Sequence, residues 1–311
     1  MFLSLLAAAV MADDQVYLAT YFLGNGESGA MLAVSEDGYK FEPIVSLQKA
    51  IMVTKDGLMR DPCILYGPDK QWHMVWTTAW WGSKLALSHS KDLVHWAEPT
   101  YVDAMGAFPD TSNTWAPEIT YDAAEKRYTI FWSSTVQGKF LETARQDGDL
   151  DDKKRPLNNR FYYTTTKDFK TFAPTQLLWD PGFNCIDATL LRYKNTWYLF
   201  GKDETKAPKA AKWLFVASAE KMRGPFKMVA NPITGKYWCE GPTAVDTGHG
   251  VRVYFDRYMD GHWGAVESTD MKTWTDLGNK IEFVPGGRHG TILRVKRSLV
   301  DGIRKALGAN P

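Results

Sequence analysis

Short apolar segments that are rich in aromatic and β-branched residues recur along the chain. Their apolar and polar positions alternate in part, which predicts strands rather than helices. The clearest examples are residues 72–78, 128–134, 197–202 and 251–258, and two more, 16–22 and 31–35, lie near the N-terminus. We therefore expect a sheet-rich fold with little helix, apart from a short helix over residues 299–307.

A second kind of segment precedes the four central strands and opens on a polar or charged residue. Its five copies open on Asp61, Glu118, Asp187, Glu240 and His289. They are about 50 to 70 residues apart, close to the length of one four-stranded propeller blade. No central strand follows His289, so we expect the N-terminal strands to complete its blade and remove the open edge. The pattern predicts one all-β domain, residues 13–311, folded as a five-bladed β-propeller closed by N-terminal strands pairing with the C-terminal inner strand.

A short motif alternates with these segments along the whole chain. A hydroxyl residue is followed two positions later by Asp and four positions after that by an aromatic residue, in residues 35–41, 90–96, 166–172 and 268–274, with a degenerate copy at 218–226. Asp and hydroxyl side chains suit a tight turn, here between the two outer strands of each blade. A β-sandwich with accidentally similar turns is the alternative.

Composition restricts the partners. The 311 residues carry 37 Lys and Arg against 36 Asp and Glu, a net charge of +1, which argues against nucleic acid or a membrane surface as the main partner. Aromatic residues make up 14% of the chain and include 13 Trp, more than a core needs, and carbohydrate sites use such rings. The three cysteines, Cys63, Cys185 and Cys239, form no disulfide framework, and we expect buried thiols. We expect a monomer.

The first residues form a short apolar segment that ends in Val10-Met11-Ala12. We interpret residues 1–12 as a secretory signal peptide, because the segment is too short for a membrane span. The protein would then be secreted or periplasmic. A buried strand is the alternative interpretation of this segment.

The opening residues of the inner strands would ring one mouth of the propeller channel. Four carboxylates and one imidazole in so small a space give the fold no packing advantage, and like charges would raise some of their pKa values. Loops over the same mouth carry aromatic and cationic residues: Trp80, Trp81, Trp115, Phe183 and Arg257. Flat rings beside carboxylates match the two needs of a sugar, stacking and hydrogen bonding. The charged insertion at 137–156 is either a lip of this pocket or a solvated excursion.

These motifs, in this order, resemble glycoside hydrolase family 43, whose members are five-bladed propeller enzymes that act mostly on arabinose- and xylose-containing glycans. The resemblance rests on Arg-Asp-Pro at 60–62, Trp-Ala-Pro-Glu at 115–118, Ile-Asp at 186–187, Glu-Gly-Pro at 240–242 and Arg-His-Gly at 288–290. It implies an inverting glycosidase with an oligosaccharide or polysaccharide substrate, for which we expect α-L-arabinofuranose release from plant-type glycans.

The resemblance also implies roles for individual residues. Asp61 matches the general base, Glu240 the general acid, and Asp187 the third carboxylate, which positions the acid and tunes its pKa. Glu118 stands where the family often has Asp, so we expect it in substrate or supporting contacts.

The remaining implied contacts concern substrate and metal. Arg60 and Arg288 belong to the matching motifs, and we expect both to bind substrate. His289 matches the axial histidine of the family, which often contacts water or a central Ca²⁺. We expect no cofactor for the chemistry, and a structural Ca²⁺ near His289 stays open.

Several alternatives remain at this point. A fructoside hydrolase would need an Asn-Asp-Pro-Asn motif, which the sequence lacks, and a sialidase would need three arginines and a Tyr nucleophile. A non-catalytic glycan-binding propeller would not need three acids at the channel mouth. A β-xylosidase, a galactosidase or a galactofuranosidase of the same fold would differ only in its pocket loops, and no motif encodes that difference.

Overall fold

The protein is described by a computed structural model that covers residues 14–45, 49–55 and 57–308. The expected signal peptide lies outside the described residues. Within them the strands form five sheets, each built from consecutive antiparallel strands, so the five-bladed β-propeller prediction is confirmed and the β-sandwich alternative is wrong. We number the blades from the first one that is continuous in sequence.

The first four blades each hold four strands in chain order. Blade 1 contains β4 (Arg60–Tyr66), β5 (Trp72–Thr77), β6 (Leu85–Ser90) and β7 (Thr100–Val102). Blade 2 contains β8 (Trp115–Asp122), β9 (Arg127–Ser134), β10 (Arg160–Thr166) and β11 (Gln176–Trp179). Blade 3 contains β12 (Cys185–Tyr193), β13 (Thr196–Asp203), β14 (Leu214–Ala219) and β15 (Lys227–Ala230). Blade 4 contains β16 (Glu240–Asp246), β17 (Val251–Arg257), β18 (His262–Ser268) and β19 (Thr275–Asp276).

Blade 5 joins the two ends of the described chain. It contains β1 (Gln15–Leu23), β2 (Met31–Ser35) and β3 (Glu42–Pro43) from the N-terminal side and β20 (Gly287–Arg288) and β21 (Ile292–Lys296) from the C-terminal side. Strand β1 pairs antiparallel with both halves of the inner strand, through Phe22 opposite Arg288 and Leu18 opposite Leu293. This pairing closes the ring, because the last inner strand finds its partner in the first strand of the chain.

A ten-residue helix, α1 (Arg297–Ala306), follows β21 and lies where a short helix was expected. It buries Val300 and Ile303 against the apolar contact between blades 5 and 1. Arg297 on its first turn forms an ion pair with Glu36, which lies just after β2. In the part of the chain that the structure describes, no helix has the length and apolar character that a bilayer crossing requires.

The repeated turn motif connects the third and fourth strands of a blade, as predicted. In blade 1, the Oδ1 atom of Asp92 accepts hydrogen bonds from the backbone N–H groups of Val94 and His95 at 2.9 and 2.8 Å. The hydroxyl of Ser90 accepts one from Leu93 at 2.9 Å. The same pattern recurs at Asp37, Asp168 and Asp270. Each motif therefore satisfies backbone donors that the turn would otherwise leave unpaired.

Each inner strand of blades 1 to 4 is irregular close to its start. The pairing register shifts between Arg60 and Cys63 in β4, and at the matching positions of β8, β12 and β16. The residue inside the bulge adopts a left-handed backbone, with φ of 52° at Asp61 and 55° at Asp187. A bulge re-aims the side chain that it carries. The fold thus turns the start of each inner strand toward the channel mouth.

The three cysteines are buried and free, in agreement with the expected buried thiols. Burial raises the pKa of the Cys63 thiol well above its usual value. These thiols therefore stay protonated and pack as small apolar groups.

Candidate active site

A cavity of about 650 Å³ opens at the channel mouth where the inner strands begin. Asp61, Asp187, Glu240 and His289 all line it, so four of the five predicted ring residues meet in one space. Each is largely buried, with side-chain exposure between 7% and 15% for Asp61, Glu240 and His289. The cavity is large enough for sugar residues, and its acidic groups lie at its floor.

Asp61 is held as a carboxylate from two sides. The hydroxyl of Thr77, at the end of β5, donates to its Oδ2 atom at 2.6 Å, and Nε2 of His289 lies 3.0 Å from its Oδ1 atom. Burial alone would raise the pKa of Asp61, but the hydrogen bond and charge of His289 outweigh it and lower the pKa to about 2. Asp61 is therefore ionised at neutral pH, as a general base must be.

His289 lies between carboxylates. Its Nδ1 atom is 3.5 Å from Oδ2 of Asp256 and 3.9 Å from Oε1 of Glu240, on the side of the ring away from Asp61. Burial lowers the pKa of His289, but its contacts with Asp256 and Asp61 and the charges around it raise that pKa to about 10. The ring is an imidazolium at neutral pH, and it separates the carboxyl group of Asp61 from that of Glu240.

Asp187 occupies the bulge of β12 and faces the same space. Its Oδ2 atom accepts a hydrogen bond from the backbone N–H of Gly241 at 3.0 Å, and its own N–H donates to the Ser133 hydroxyl at 3.1 Å. Burial raises the pKa of Asp187 to about 6, with the charge of Glu240 adding to the effect and that of His289 opposing it. Among the acids lining the large cavity, this one titrates near neutral pH.

Glu240 departs from the expectation for a general acid. Its Oε2 atom accepts a hydrogen bond from Lys202 at 2.9 Å and its Oε1 atom one from Arg288 at 2.6 Å. Burial raises the pKa of Glu240, but the charges of Lys202, His289 and Arg288 lower it to about 2. Burial, with a smaller contribution from neighbouring carboxylates, raises the pKa values of Asp187 and Glu118, whereas Glu240 is surrounded by cations.

Glu118 is not among the described residues that line the main cavity. It is the fourth residue of β8, after the bulge, and it lines a small cavity of about 20 Å³ that Asp61, Asp187 and His289 also line. Burial raises the pKa of Glu118 to about 8. Glu118 therefore adjoins the other ring residues without lining the main cavity, because it stands two residues beyond the bulge position that Asp61 and Asp187 occupy in their strands.

Aromatic side chains form one wall of the main cavity. Trp80, Trp81 and Trp115 line it, and the Nε1 atom of Trp115 donates to the carbonyl oxygen of Trp80 at 2.6 Å. Trp80 is the most exposed of the three at 46%, and the guanidinium of Arg60 lies over its ring, 4.3 Å from the centroid. These residues are therefore available to a ligand in the cavity.

Two of the predicted substrate contacts lie elsewhere. Phe183 lines a separate cavity of about 160 Å³ and packs edge-on against Phe215 at 5.5 Å. Arg257 stacks on Tyr237 at 4.1 Å and forms an ion pair with Asp260. Neither side chain is among the described residues that line the main cavity, since neighbouring aromatic rings draw both away from the mouth.

The insertion at 137–156 is a structured lip of the cavity. Asp149 and Leu150 line the cavity, and buried Asp151 accepts hydrogen bonds from Ser112 at 2.8 Å and from Arg155 at 2.7 Å. Of the two sequence interpretations, the lip is confirmed and the solvated excursion is wrong.

The main residues that sequence reasoning left out of the site lie at the ends of the second strands. Thr77, Ser133, Lys202 and Asp256 pair with the first residue of each inner-strand bulge. Each also reaches the inner strand of the next blade: Thr77 accepts from Ala116 N–H at 2.8 Å, and Lys202 donates to Glu240. A charged residue at the end of an apolar strand, as at Lys202, was the signal available in the sequence.

The residues around His289 are a poor match for Ca²⁺. One ligand atom each from Glu240, Asp256 and His289 lies within 4.8 Å of the others. Arg288 donates to both carboxylates of this group, so a guanidinium already neutralises them. Calcium takes about six to eight ligands, nearly all of them oxygens, whereas this group offers two carboxylate oxygens and one ring nitrogen. The donor set therefore does not fit calcium at this position.

Comparison with known proteins gives one family and several distant relatives. A family model described as "Probable glycosyl hydrolase domain", related to glycoside hydrolase family 43, matches residues 13–301. An α-L-arabinofuranosidase of Bifidobacterium longum is 30% identical over 129 residues, which are 39% of this chain and 12% of that protein. The chain therefore spans only about an eighth of that relative.

Solved structures resemble the chain in fold. The crystal structure of an α-L-arabinofuranosidase from Lactobacillus brevis matches with a TM-score of 0.53 and 15% identity, over 70% of this chain and 72% of that one. A xylan β-1,4-xylosidase from Bacillus halodurans matches with a TM-score of 0.51 and 16% identity, over 72% of this chain and 42% of that one. At these identities the likeness concerns the propeller architecture.

Proposed function

Because this chain belongs to the family of probable glycosyl hydrolase domains related to glycoside hydrolase family 43, we propose that it is an inverting glycosidase that releases α-L-arabinofuranose from plant-type glycans. Membership of the family makes it a glycoside hydrolase with a carbohydrate substrate. The stereochemistry, the sugar and the roles of individual residues are the proposal.

One observation carries the inverting scheme: the carboxyl groups of Asp61 and Glu240 face one cavity with the ring of His289 between them. A retaining enzyme places its two carboxyl groups about 5 Å apart, whereas an inverting enzyme keeps them about 6.5–9.5 Å apart to admit a water molecule. An intervening imidazolium favours the wider class. It also shields the two negative charges from one another.

Asp61 would act as the general base. It would take a proton from a water molecule as that water attacks the anomeric carbon from the face opposite the leaving group. Its low pKa keeps it unprotonated across the physiological range. Thr77 and His289 hold its two oxygens, so the carboxylate is oriented before substrate arrives.

Glu240 would act as the general acid after substrate has entered. In the free protein Lys202 and Arg288 keep it ionised. A leaving-group oxygen that approached Oε1 would displace Arg288, which removes one of the charges that lower the pKa of Glu240 and would favour uptake of a proton from solvent. Asp187, whose pKa is raised to about 6, would tune that proton uptake through its charge.

The choice of arabinofuranose rests on the name of the Bifidobacterium relative, because a cavity of about 650 Å³ would admit any pentose. A β-xyloside, a galactofuranoside or a galactopyranoside differs by contacts worth only about 1–3 kcal/mol. Trp80, Trp81 and Trp115 would supply the stacking surface, and Arg60 and Arg288 the hydroxyl contacts.

The proposal is tested with a panel of aryl glycosides, with proton NMR of the first product anomer. The panel contains α-L-arabinofuranoside, β-D-xyloside, galactofuranoside, galactopyranoside and fructoside. Cleavage of the arabinofuranoside with inverted product supports the proposal in full. Cleavage of another member of the panel would replace arabinofuranose by that sugar in the proposal. Retention of configuration would remove Asp61 from the base role. Binding without any cleavage would favour a glycan-binding propeller.

A further inference from the structure

Lys202 is a buried cation that lies between two carboxylates in the wall of the cavity. It stands near the end of β13 with a side-chain exposure of 2%, and its Nζ atom is 2.9 Å from Oε2 of Glu240 and 2.7 Å from Oε2 of Glu204. The ring of Tyr258 covers it, 4.7 Å from the ammonium. Burial lowers the pKa of Lys202, but the charges of Glu204 and Glu240 raise it well above its usual value, so it stays charged.

A chain of alternating charges continues from Lys202 toward the insertion. Glu204 forms an ion pair with Lys212, whose side chain is also buried, and Lys212 contacts Oδ2 of Asp149 at 2.8 Å. The other oxygen of Asp149 contacts Lys206 at the rim at 2.6 Å. Charge therefore alternates without a break from the candidate acid to the lip of the cavity, and each partner restricts the next.

The other blades show which residues occupy the position of Lys202 at the end of the second strand. At the matching strand ends, Thr77 and Ser133 carry hydroxyls that bind backbone N–H groups of the next blade. Hydroxyls therefore suffice at these two positions, whereas Asp256 at the matching position of blade 4 forms an ion pair with Arg288. Lys202 instead reaches a side chain, the carboxylate of Glu240, and taking an ammonium out of water for that purpose is costly.

The two oxygens of Glu240 differ in their surroundings. Lys202, which holds Oε2, is almost fully buried, whereas Arg288, which holds Oε1, keeps 27% of its side chain exposed. A ligand in the cavity can therefore replace Arg288 but has little access to Lys202. Oε1 faces the side from which substrate arrives, and Oε2 is anchored.

We propose that Lys202 is the positioning residue of this site: through its hydrogen bond to Oε2 it fixes the Glu240 carboxyl group with Oε1 presented to the leaving-group oxygen. The role rests on the proposed function, because it presumes that Glu240 donates a proton. In this role Lys202 acts through Glu240 rather than on the substrate. Glu204, Lys212 and Asp149 hold it in place, which gives the insertion a part in orienting the acid.

The experiment compares two leaving groups in Lys202→Met. With the sugar that the wild-type protein cleaves, the phenyl and 2,4-dinitrophenyl glycosides differ in how much they need protonation. We expect kcat/KM for the phenyl glycoside to fall about 100-fold, the scale of a 1 Å misplacement, and that for the dinitrophenyl glycoside to fall by no more than about threefold, since a good leaving group needs little acid catalysis. Lys202→Arg should restore part of the phenyl activity. Equal losses on both substrates would overturn the proposal.

The control is Lys40→Met, which removes one positive charge from an exposed ion pair with Glu42. It should leave both rates unchanged, which separates positioning from net charge. Thermal unfolding checks that each variant folds, and Lys202→Gln takes the place of Lys202→Met if the latter does not.

A crystal structure of the folded variant gives a readout that needs no substrate. The carboxyl group of Glu240 should move by about 1 Å or more from its wild-type position, judged against the misplacement scale above. If the wild-type protein cleaves no glycoside, the proposed function fails. The position of the Glu240 carboxyl group in the variant then decides the inference alone. An unmoved Glu240 would refute it in either case.

Discussion

The Nε2 atom of His289 lies 3.0 Å from Oδ1 of Asp61, so that the last inner strand of the propeller supplies a cation to the first. The two residues are far apart in sequence and meet because the ring closes through β1. The same imidazolium faces Asp256 and Glu240 on its other side. It therefore sets the ionisation of the candidate base and the charge balance of the whole floor of the cavity.

Replacement of His289 by Gln should change the pH dependence of stability. Its pKa is raised from 6.5 to about 10 in the folded protein. A raised pKa contributes stability that is complete below the unfolded value and is lost as pH rises through the folded one. The melting temperature of the wild-type protein should therefore fall between pH 7 and pH 10, and the fall should be smaller in His289→Gln. Equal pH dependence in both proteins would show that His289 is not charged.

His289→Gln should also shift the acidic side of the catalytic pH profile. The charge of His289 holds the pKa of Asp61 at about 2. Without it, burial raises the pKa of Asp61, and the acidic limb of kcat/KM should move to higher pH. A limb that stays in place would separate Asp61 from the general base role.

Glu240→Gln and Asp61→Asn should differ in their dependence on the leaving group. Loss of proton donation by Glu240 costs about 10²–10⁴-fold on phenyl glycosides and little on dinitrophenyl glycosides, because only the former need the proton. Loss of the base should lower both rates together. Steady-state kinetics on the two substrates distinguish these outcomes, and reversed behaviour of the two variants would exchange the assigned roles.

Gly241→Ala should destabilise the fold and disturb the site. Gly241 has a φ of 59°, and a Cβ atom there would lie 2.0 Å from Cγ of His289. The left-handed backbone costs a non-glycine residue about 1–2 kcal/mol, and the clash adds to that. We expect a loss of more than about 2 kcal/mol in unfolding free energy, measured by urea denaturation.

Gly261→Ala is the matched control for that substitution. Gly261 has a φ of 70°, and a Cβ atom added there would meet no other atom within 4 Å, so only the backbone cost of about 1–2 kcal/mol applies. Equal losses in the two variants would contradict the predicted clash with His289.

Trp80→Ala should weaken substrate binding without changing the chemical step. An aromatic contact is worth about 0.5–1.5 kcal/mol beyond its buried area, so KM should rise about 3- to 10-fold with kcat nearly unchanged. Tyr66→Ala is the control, because Tyr66 is similarly exposed but ends β4 at the side away from the mouth. A KM that does not respond to Trp80→Ala would remove this ring from the binding surface.

Much of the architecture is readable from local sequence pattern. The turn motif around Asp92 recurs in four of the five blades, where it makes the same hydrogen bonds between the outer strands. The apolar strands and their polar opening residues repeat at blade length, so the number of blades and the closure by N-terminal strands follow from counting. Asp61, Asp187, Glu240 and His289 were found in this way, since a packed inner strand has no other use for them.

Tertiary structure decided the properties that depend on distances between blades. Glu118 lines the small cavity that it shares with Asp61, Asp187 and His289 rather than the main one, and neighbouring rings draw Phe183 and Arg257 out of the main cavity. The pKa of Glu240 is lowered rather than raised because Lys202 and Arg288, from strands far apart in sequence, meet at its two oxygens. The local sequence pattern determines which residues stand at the start of each strand, because strands and turns form through hydrogen bonds between residues that are close in sequence. The electrostatic partners of those residues come from neighbouring blades, and only the closed ring brings them together.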